Sequence, residues 1–363
     1  MSDSADPRYA WQKQTFSLWA HHGYRGIVKA VTGSGKSYAA LDCIEHYRDF
    51  DPHAQVWVIC DYNELKTQWR ELLDAHGFAD IPVYLYLSAV SELQKHLPDC
   101  LILDEAHHLE AETWGRVADF GVPHILALSA TPNTDCRVVG EIIQRIGFDQ
   151  AFIAPSTSHL VEFPLNPQER KKYDERTASM QRYKLSHPNA TYRTDFIYMK
   201  LINMRKAVCA SFPLRYEVGL EVVKRNRGRR MMLFFTKQQE VKAFAKMLDD
   251  AGIDDYAIQI SSCKQIDQFK SGWKNILLSI NMVATGFSDP TVEVGVMFTY
   301  PASPRDAIQK VGRILRPNGD KHADIYYLVA EETADTEIVE NRRQLFPPDS
   351  TVIEEAKNYG FTE

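Results

Sequence analysis

The chain has 363 residues, enough for two domains of ordinary size, and its 44% hydrophobic and 25% charged content is that of a globular protein. It has no apolar run long enough to span a bilayer, and the polar, acidic N-terminus MSDSADPRYAWQ lacks the apolar core of a secretory signal. Six scattered cysteines without a C-x-x-C pair argue against a zinc ribbon or a disulfide framework and for reduced thiols in a cytosol.

Taken in chain order, the first 155 residues alternate helix and strand. AWQKQTFSLWAHH reads as a helix, and GIVKAV as a strand entering a glycine-rich turn. SYAALDCIEHYRDF is helical, QVWVIC a buried strand, and NELKTQWRELLDAHG an amphipathic helix stopped by Gly77. LYLS, CLILD and HILALS are expected as further strands. Short apolar strands separated by helices imply a parallel sheet covered on both faces. From 156 to 228 the pattern turns to polar helices: NPQERKKYDERTASMQRYKLS, TDFIYMKLINMRKAVC and PLRYEVGLEVVKRN. Alternation resumes over 229–363. There RRMMLFFT, YAIQIS, NILLSI, VEVGVMFTY and DIYYLVA read as strands, and KQQEVKAFAKMLDDAG and SPRDAIQKVGRILRP as helices. The expectation is α/β, with two parallel-sheet domains (1–155 and 229–363) and a basic helical linker or insertion (156–228) between them.

Net charge is −6, which alone argues against a nucleic-acid partner, but residues 170–230 carry 16 Lys/Arg against 5 Asp/Glu. A basic track can sit on an acidic body. Basic residues of the middle segment, among them Lys171, Lys172 and Arg182, interleave with Tyr173, Tyr183, Tyr192, Phe196 and Tyr198. Two readings stay open. Either the segment grips phosphates and stacks on or wedges between bases, or its tyrosines pack on the second domain while its charges face water.

AVTGSGKS (30–37) fits a phosphate loop between a strand and a helix, with alanine at its first position. Gly33, Ser34 and Gly35 let the backbone N–H groups face phosphate oxygens; Lys36 would reach the β- and γ-phosphates, and Ser37 would ligate magnesium. In LILDEAHH (101–108), Asp104 falls at the carboxyl end of a buried strand, where open parallel sheets bind ligands. Asp104 is suited to hold Mg2+ and Glu105 to polarise an attacking water. Zinc at His107 and His108 is the rival reading, but neither H-E-x-x-H nor H-x-x-E-H spacing is present.

A phosphate loop followed by Asp-Glu-Ala-His and then LALSATP (126–132) resembles a superfamily 2 helicase or translocase. The resemblance spans nearly the whole chain and implies two RecA-like domains in tandem. Arg8 and Gln12 resemble the N-terminal motif whose glutamine reads adenine. NELKTQW (63–69) resembles motif Ia, which implies a nucleic-acid contact at Gln68. The resemblance implies that His107, Ser129 and Thr131 couple the two domains. MLFFT (232–236), SINMVATGFSDP (279–290) and QKVGRILRP (309–317) resemble motifs IV, V and VI. Thr285 would contact a strand, while Ser288-Asp289 departs from the common G-x-D-x-P form. Gln309, Gly312, Arg313 and Arg316 keep the Q-x-x-G-R-x-x-R spacing and share one helical face. The resemblance implies that Gln309, Arg313 and Arg316 act with Glu105 on ATP bound between the domains.

The spacing is most similar to the branch of XPB-type DNA helicases, restriction-enzyme motors and phage branch-migration helicases. LNPQERKKY (165–173) also resembles a Gln-x4-Tyr segment of chromatin-remodelling-type translocases. The resemblance thus implies an ATP- and Mg2+-dependent DNA motor, with RNA as the second track and a non-translocating nucleotide-gated sensor as the rival class. A branched or duplex DNA, a targeting or nuclease partner and a monomeric, cytoplasmic chain are expected. The compactness points to a phage or mobile-element protein, and the expected compartment is a bacterial, archaeal or phage-infected host cytosol.

Overall fold

The computed structural model describes residues 10–110, 115–130, 139–147, 150–151, 153–192, 194–280, 289–299, 310–342 and 351–354. Of the residues singled out above, Arg8, Thr131, Thr285, Ser288 and Gln309 lie outside the described residues. The chain falls into two compact units. The first takes Met1–Ala154 with Met282–Pro290 and Arg305–Pro317; the second takes Pro155–Asn281, Thr291–Pro304 and Asn318–Glu363.

The first unit is built on β1 (Arg25–Ala30), β2 (Val56–Cys60), β3 (Val83–Leu85), β4 (Cys100–Leu103), β5 (His124–Ser129) and β6 (Ile142–Ile146). They pair in the order β3-β2-β4-β5-β1-β6, all parallel. Successive side chains of a strand point to opposite faces. Val28, Val58, Ile102 and Leu126 therefore join a core with Trp11, Trp19, Ile44 and Trp69 on one face. Ile27, Ile59, Leu101, Leu103 and Ile125 join Tyr86, Leu93 and Val117 on the other. Both faces are covered, so β2 and β4 are apolar and buried at every position. Polar function is thereby restricted to the loops at the strand ends.

LYLS departs from the strand expected there. β3 stops at Leu85 and a helix, Tyr86–Leu93, begins at once. The Ser88 hydroxyl accepts from Leu85 N at 3.1 Å, and Tyr86, Ala89 and Leu93 bury one helical face. A four-residue apolar run fits either period, and the side chains that follow it decide.

The second unit carries β7 (Ser156–Phe163), β8 (Met231–Phe234), β9 (Tyr256–Ile260), β10 (Cys263–Lys264), β11 (Ile276–Ser279), β12 (Val294–Met297), β13 (Ala323–Ala330) and β14 (Thr351–Glu354). Their order is β10-β9-β11-β8-β12-β13-β7-β14, and β10 alone pairs antiparallel among the described strands. The segment expected to be helical from 156 opens instead with β7, paired with β13 from Ser156↔Ala323 to Phe163↔Ala330. Helices Pro167–Ser186, Phe196–Ala210 and Pro213–Arg225 then follow.

Arg215 locks this unit. It is 1% exposed and donates to Cys209 O at 3.2 Å, Phe298 O at 2.8 Å and Leu328 O at 2.7 Å. Its remaining nitrogen pairs with Asp335. One guanidinium thus ties the helices to the ends of β12 and β13. Arg215→Met removes the cation and leaves Asp335 buried without compensation, so a loss of about 3–5 kcal/mol is expected in denaturant unfolding of the second unit. An unfolding midpoint equal to wild type would show that the network contributes little.

Candidate functional site

A pocket of about 420 Å³ opens in the first unit at the carboxyl ends of β1 and β4. The phosphate loop forms one wall. Gly33 and Gly35 have φ of +86° and +90°, values that side-chain-bearing residues reach only with strain. Space also excludes a side chain, since a Cβ on Gly33 would stand 2.9 Å from Gly312 O and 3.8 Å from Arg316 Cγ. Gly35 caps the helix Lys36–Phe50, whose first N–H groups need acceptors. Gln12 meets the loop from the preceding helix, its Nε2 donating to Ser34 O at 3.4 Å and Gly35 O at 3.3 Å.

Lys36 is buried, with Nζ 3.0 Å from Ala30 O and 3.5 Å from Val31 O. The Ser34 and Thr32 hydroxyls are buried and make no hydrogen bond among the described residues. A cradle with no room for a Cβ, lined by orphaned hydroxyls and a lysine, fits a polyphosphate. Ser37 lines the same wall.

Asp104 faces this wall from just beyond β4. It accepts from Trp69 Nε1 at 2.8 Å and from Glu105 N at 2.8 Å, while its own carbonyl accepts from the Tyr86 hydroxyl at 2.9 Å. Burial pushes its carboxyl up to about 6, and the Glu105 charge adds to the rise; the Trp69 bond and the Lys36 charge oppose it. Glu105 has φ of +51°, a left-handed conformation costing a non-glycine residue roughly 1–2 kcal/mol. Its Oε2 lies 3.2 Å from His107 Nδ1. Strain of this kind persists where the surroundings over-determine a conformation, as functional sites often do.

The structure brings Arg313 and Arg316 into the same lining as Lys36, Asp104 and Glu105. The helical turn over 310–314 approaches the loop closely: a Cβ on Gly312 would lie 2.7 Å from Thr32 Cβ and Thr32 O. Burial lowers Arg313, while its hydrogen bond to Tyr62 holds it up. Burial and the neighbouring Arg313 charge bring Arg316 down to about 10, so both stay cationic at neutral pH. Tyr62, pushed up to about 12 by burial, was not marked by the sequence reading, nor was Trp69.

Gln68, expected at a nucleic-acid contact, forms one stripe of the helix Asn63–Ala75 with Leu65, Trp69 and Leu72, and the four line this pocket. Ser129 is buried at the end of β5.

Lys171, Lys172 and Arg182 lie elsewhere, exposed on the helix Pro167–Ser186 of the second unit. Asn166 and Glu169 cap that helix reciprocally, at 2.9 Å and 3.0 Å. Tyr173 is buried in the second core with Arg170 and Arg205 flanking its ring at 5.9 and 5.8 Å. Tyr183 bonds Asp195 at 3.1 Å and faces Tyr198 at 6.5 Å. These pairings make the helix and its successor an antiparallel hairpin. They assign Tyr173, Tyr183 and Tyr198 to packing and leave the lysines to solvent. A second pocket, about 210 Å³, lies past the ends of β8 and β12, lined by Lys206, Thr236, Lys237 and Thr299. The Thr299 hydroxyl is buried there and makes no hydrogen bond among the described residues.

Two family models match the chain: "Type III restriction enzyme, res subunit" over residues 7–80 and 84–134, and "Helicase conserved C-terminal domain" over 214–318. The chain belongs to helicase superfamily 2. It is 22% identical to a putative DNA 3'-5' helicase Rad25 of Halobacterium salinarum over 80% of this chain and 49% of that one. It is also 22% identical to an ATP-dependent rRNA helicase RRP3 of Gibberella zeae, over 80% of this chain and 60% of the relative. The chain spans about half the length of the curated relatives it matches. Among solved structures, Saccharomyces cerevisiae Dbp5 bound to RNA and ADP BeF3 aligns with a TM-score of 0.61 at 16% identity, covering 94% of this chain and 88% of that one. The two open parallel sheets are the tandem RecA-like fold of these helicases.

The raised Asp104 carboxyl has a consequence for stability. Its folded value lies above the unfolded one, so its contribution is present at low pH and lost as pH rises through about 6. Asp104→Asn should therefore melt above wild type at pH 8, with the difference closing toward pH 4. A difference independent of pH would show that Asp104 is not ionising in a buried setting.

Proposed function

We propose that this chain is a nucleic-acid-dependent ATPase that converts Mg-ATP hydrolysis into movement along DNA, as a helicase or translocase. One observation carries the reading: a phosphate cradle, two acidic residues and two arginines line a single pocket. Gly33, Ser34 and Gly35 would offer backbone N–H groups to the phosphates, and Lys36 would leave its loop carbonyls to pair with them. Gln12, already bonded to the loop, would meet the adenine. Ser37 and Asp104 would hold Mg2+, which neutralises charge on the transferring phosphoryl group. Glu105 would orient the attacking water and take its proton. Arg313 and Arg316 would supply positive charge to the phosphoryl oxygens, Gln309 would add a neutral hydrogen bond, and Tyr62 would keep Arg313 in place. His107, Ser129 and Thr131 would report nucleotide state to the second domain.

For the track, exposed Lys171, Lys172 and Arg182 would contact backbone phosphates, as would the pocket holding Lys206, Lys237 and Thr299; Thr285 would add a strand contact. DNA is favoured by the Rad25 and restriction-subunit likeness. RNA is the second reading, carried by the rRNA-helicase relative. The domain bounds proposed are 1–155, 156–228 as a segment whose strand β7 joins the second sheet before its helices, and 229–363.

ATP hydrolysis measured at fixed salt with single-stranded, duplex and branched DNA, with RNA and with no polymer tests the reading. A DNA form is expected to stimulate turnover, and Arg313→Ala should lower the stimulated rate by about a thousandfold. Stimulation by RNA alone would reverse the track, and indifference to every polymer would leave a nucleotide sensor.

A further inference from the structure

We propose that the free end of the helical hairpin in the second unit is a strand-separating wedge that seats against the terminal base pair of a nucleic-acid duplex. The inference rests on the motor reading above and adds the place where strands part.

The end of the hairpin exposes large apolar side chains beside a polar loop. Leu185 is 80% exposed, Phe196 72% and Ile197 53%. They come from the last turn of one helix and the first turn of the next. The other aromatics of the hairpin are engaged within it, Tyr173 in the core, Tyr183 against Asp195 and Tyr198, and Tyr192 with Lys206 Nζ over its ring at 5.8 Å. Grouped apolar exposure marks a contact surface.

The hairpin is also stiff, as a wedge must be. At its root Arg170 donates to Glu331 O at 2.8 Å and Glu332 O at 3.0 Å, and Arg205 pairs with Glu337 at 2.7 Å. At its tip Lys184 Nζ donates to Pro188 O at 2.8 Å and Ala190 O at 2.6 Å, and Asp195 caps the second helix through Tyr198 N at 2.8 Å. Force applied to Phe196 is therefore carried to the β-sheet rather than absorbed by the loop.

Charge selects the occupant. Residues 167–210 hold ten Lys/Arg against four Asp/Glu, and Lys171, Lys172, Arg176, Arg182 and Lys200 are exposed. A second copy would bring the same positive excess to the contact. A duplex end offers a flat apolar base face with phosphates beside it, which matches both the tip and its flanks.

The full chain is given forked DNA and forked RNA duplexes with ATP, and strand separation is read beside single-strand-stimulated hydrolysis. Leu185→Ala with Phe196→Ala should slow separation roughly ten- to hundredfold, the loss expected when a base loses its stacking partner. Hydrolysis without polymer and the melting temperature should stay as in wild type, and Phe196→Tyr, which keeps a stacking face, should separate strands normally. Separation unchanged in the double variant overturns the wedge; if that variant loses a dimer in sedimentation, the tip belongs to self-association instead. A wild-type chain whose hydrolysis responds to a strand but which never opens a fork overturns the wedge and leaves the motor standing. Hydrolysis that no polymer stimulates overturns both.

Discussion

The first unit depends on an acid group held where water does not reach it. Asp104 sits just beyond a strand with no exposed side chain, with Trp69 and its own chain donating to its carboxylate. Burial disfavours its ionised form, and the Trp69 hydrogen bond and nearby positive charge offset this only in part. Lys36 supplies part of that charge, and a bound divalent cation would supply far more. On the proposed reading, metal and phosphate together would complete the electrostatics of the site. The same logic accounts for Lys36, which holds loop carbonyls in place of phosphate oxygens, and for the orphaned hydroxyls of Thr32 and Ser34.

The position of the site follows from the sheet. The central strands β2 and β4, covered on both faces, carry no polar side chain other than cysteine, so catalytic groups collect at the carboxyl ends of the sheet. Glycine then decides what may approach. Gly33 and Gly312 have no room for side chains against each other's segments, and that closeness brings Arg313 and Arg316 into the lining. The glycine of the Q-x-x-G-R-x-x-R pattern is thus a packing requirement, and the arginines profit from it.

Much of this was legible in the sequence because local pattern and chemistry agree there. AVTGSGKS and LILDEAHH announce a turn between strand and helix and an acid pair at a strand end, and the structure puts them in one pocket. The failures share one cause, partners distant in sequence. STSHLVEF lacks an apolar run, yet it becomes β7 because β13, more than a hundred residues later, offers it a full ladder. LYLS turns into helix after Leu85 because Tyr86, Ala89 and Leu93 find a core on one side. Tyr62 lies just outside the quoted motifs and Trp69 at the end of NELKTQW, where no role was assigned to it; a hydrogen bond to Arg313 and another to Asp104 define them.

The claim most open to direct test is that the phosphate loop of the first unit binds Mg-nucleotide. Calorimetric titration of a non-hydrolysable ATP analogue with Mg2+ at pH 8, into wild type and Lys36→Ala, measures it. The account predicts one nucleotide per chain, with affinity falling at least about tenfold in the variant, as loss of a charge-assisted contact to phosphate of about 1.5–3 kcal/mol requires. Equal affinity in the two proteins, or no binding to a folded wild-type chain, would contradict it.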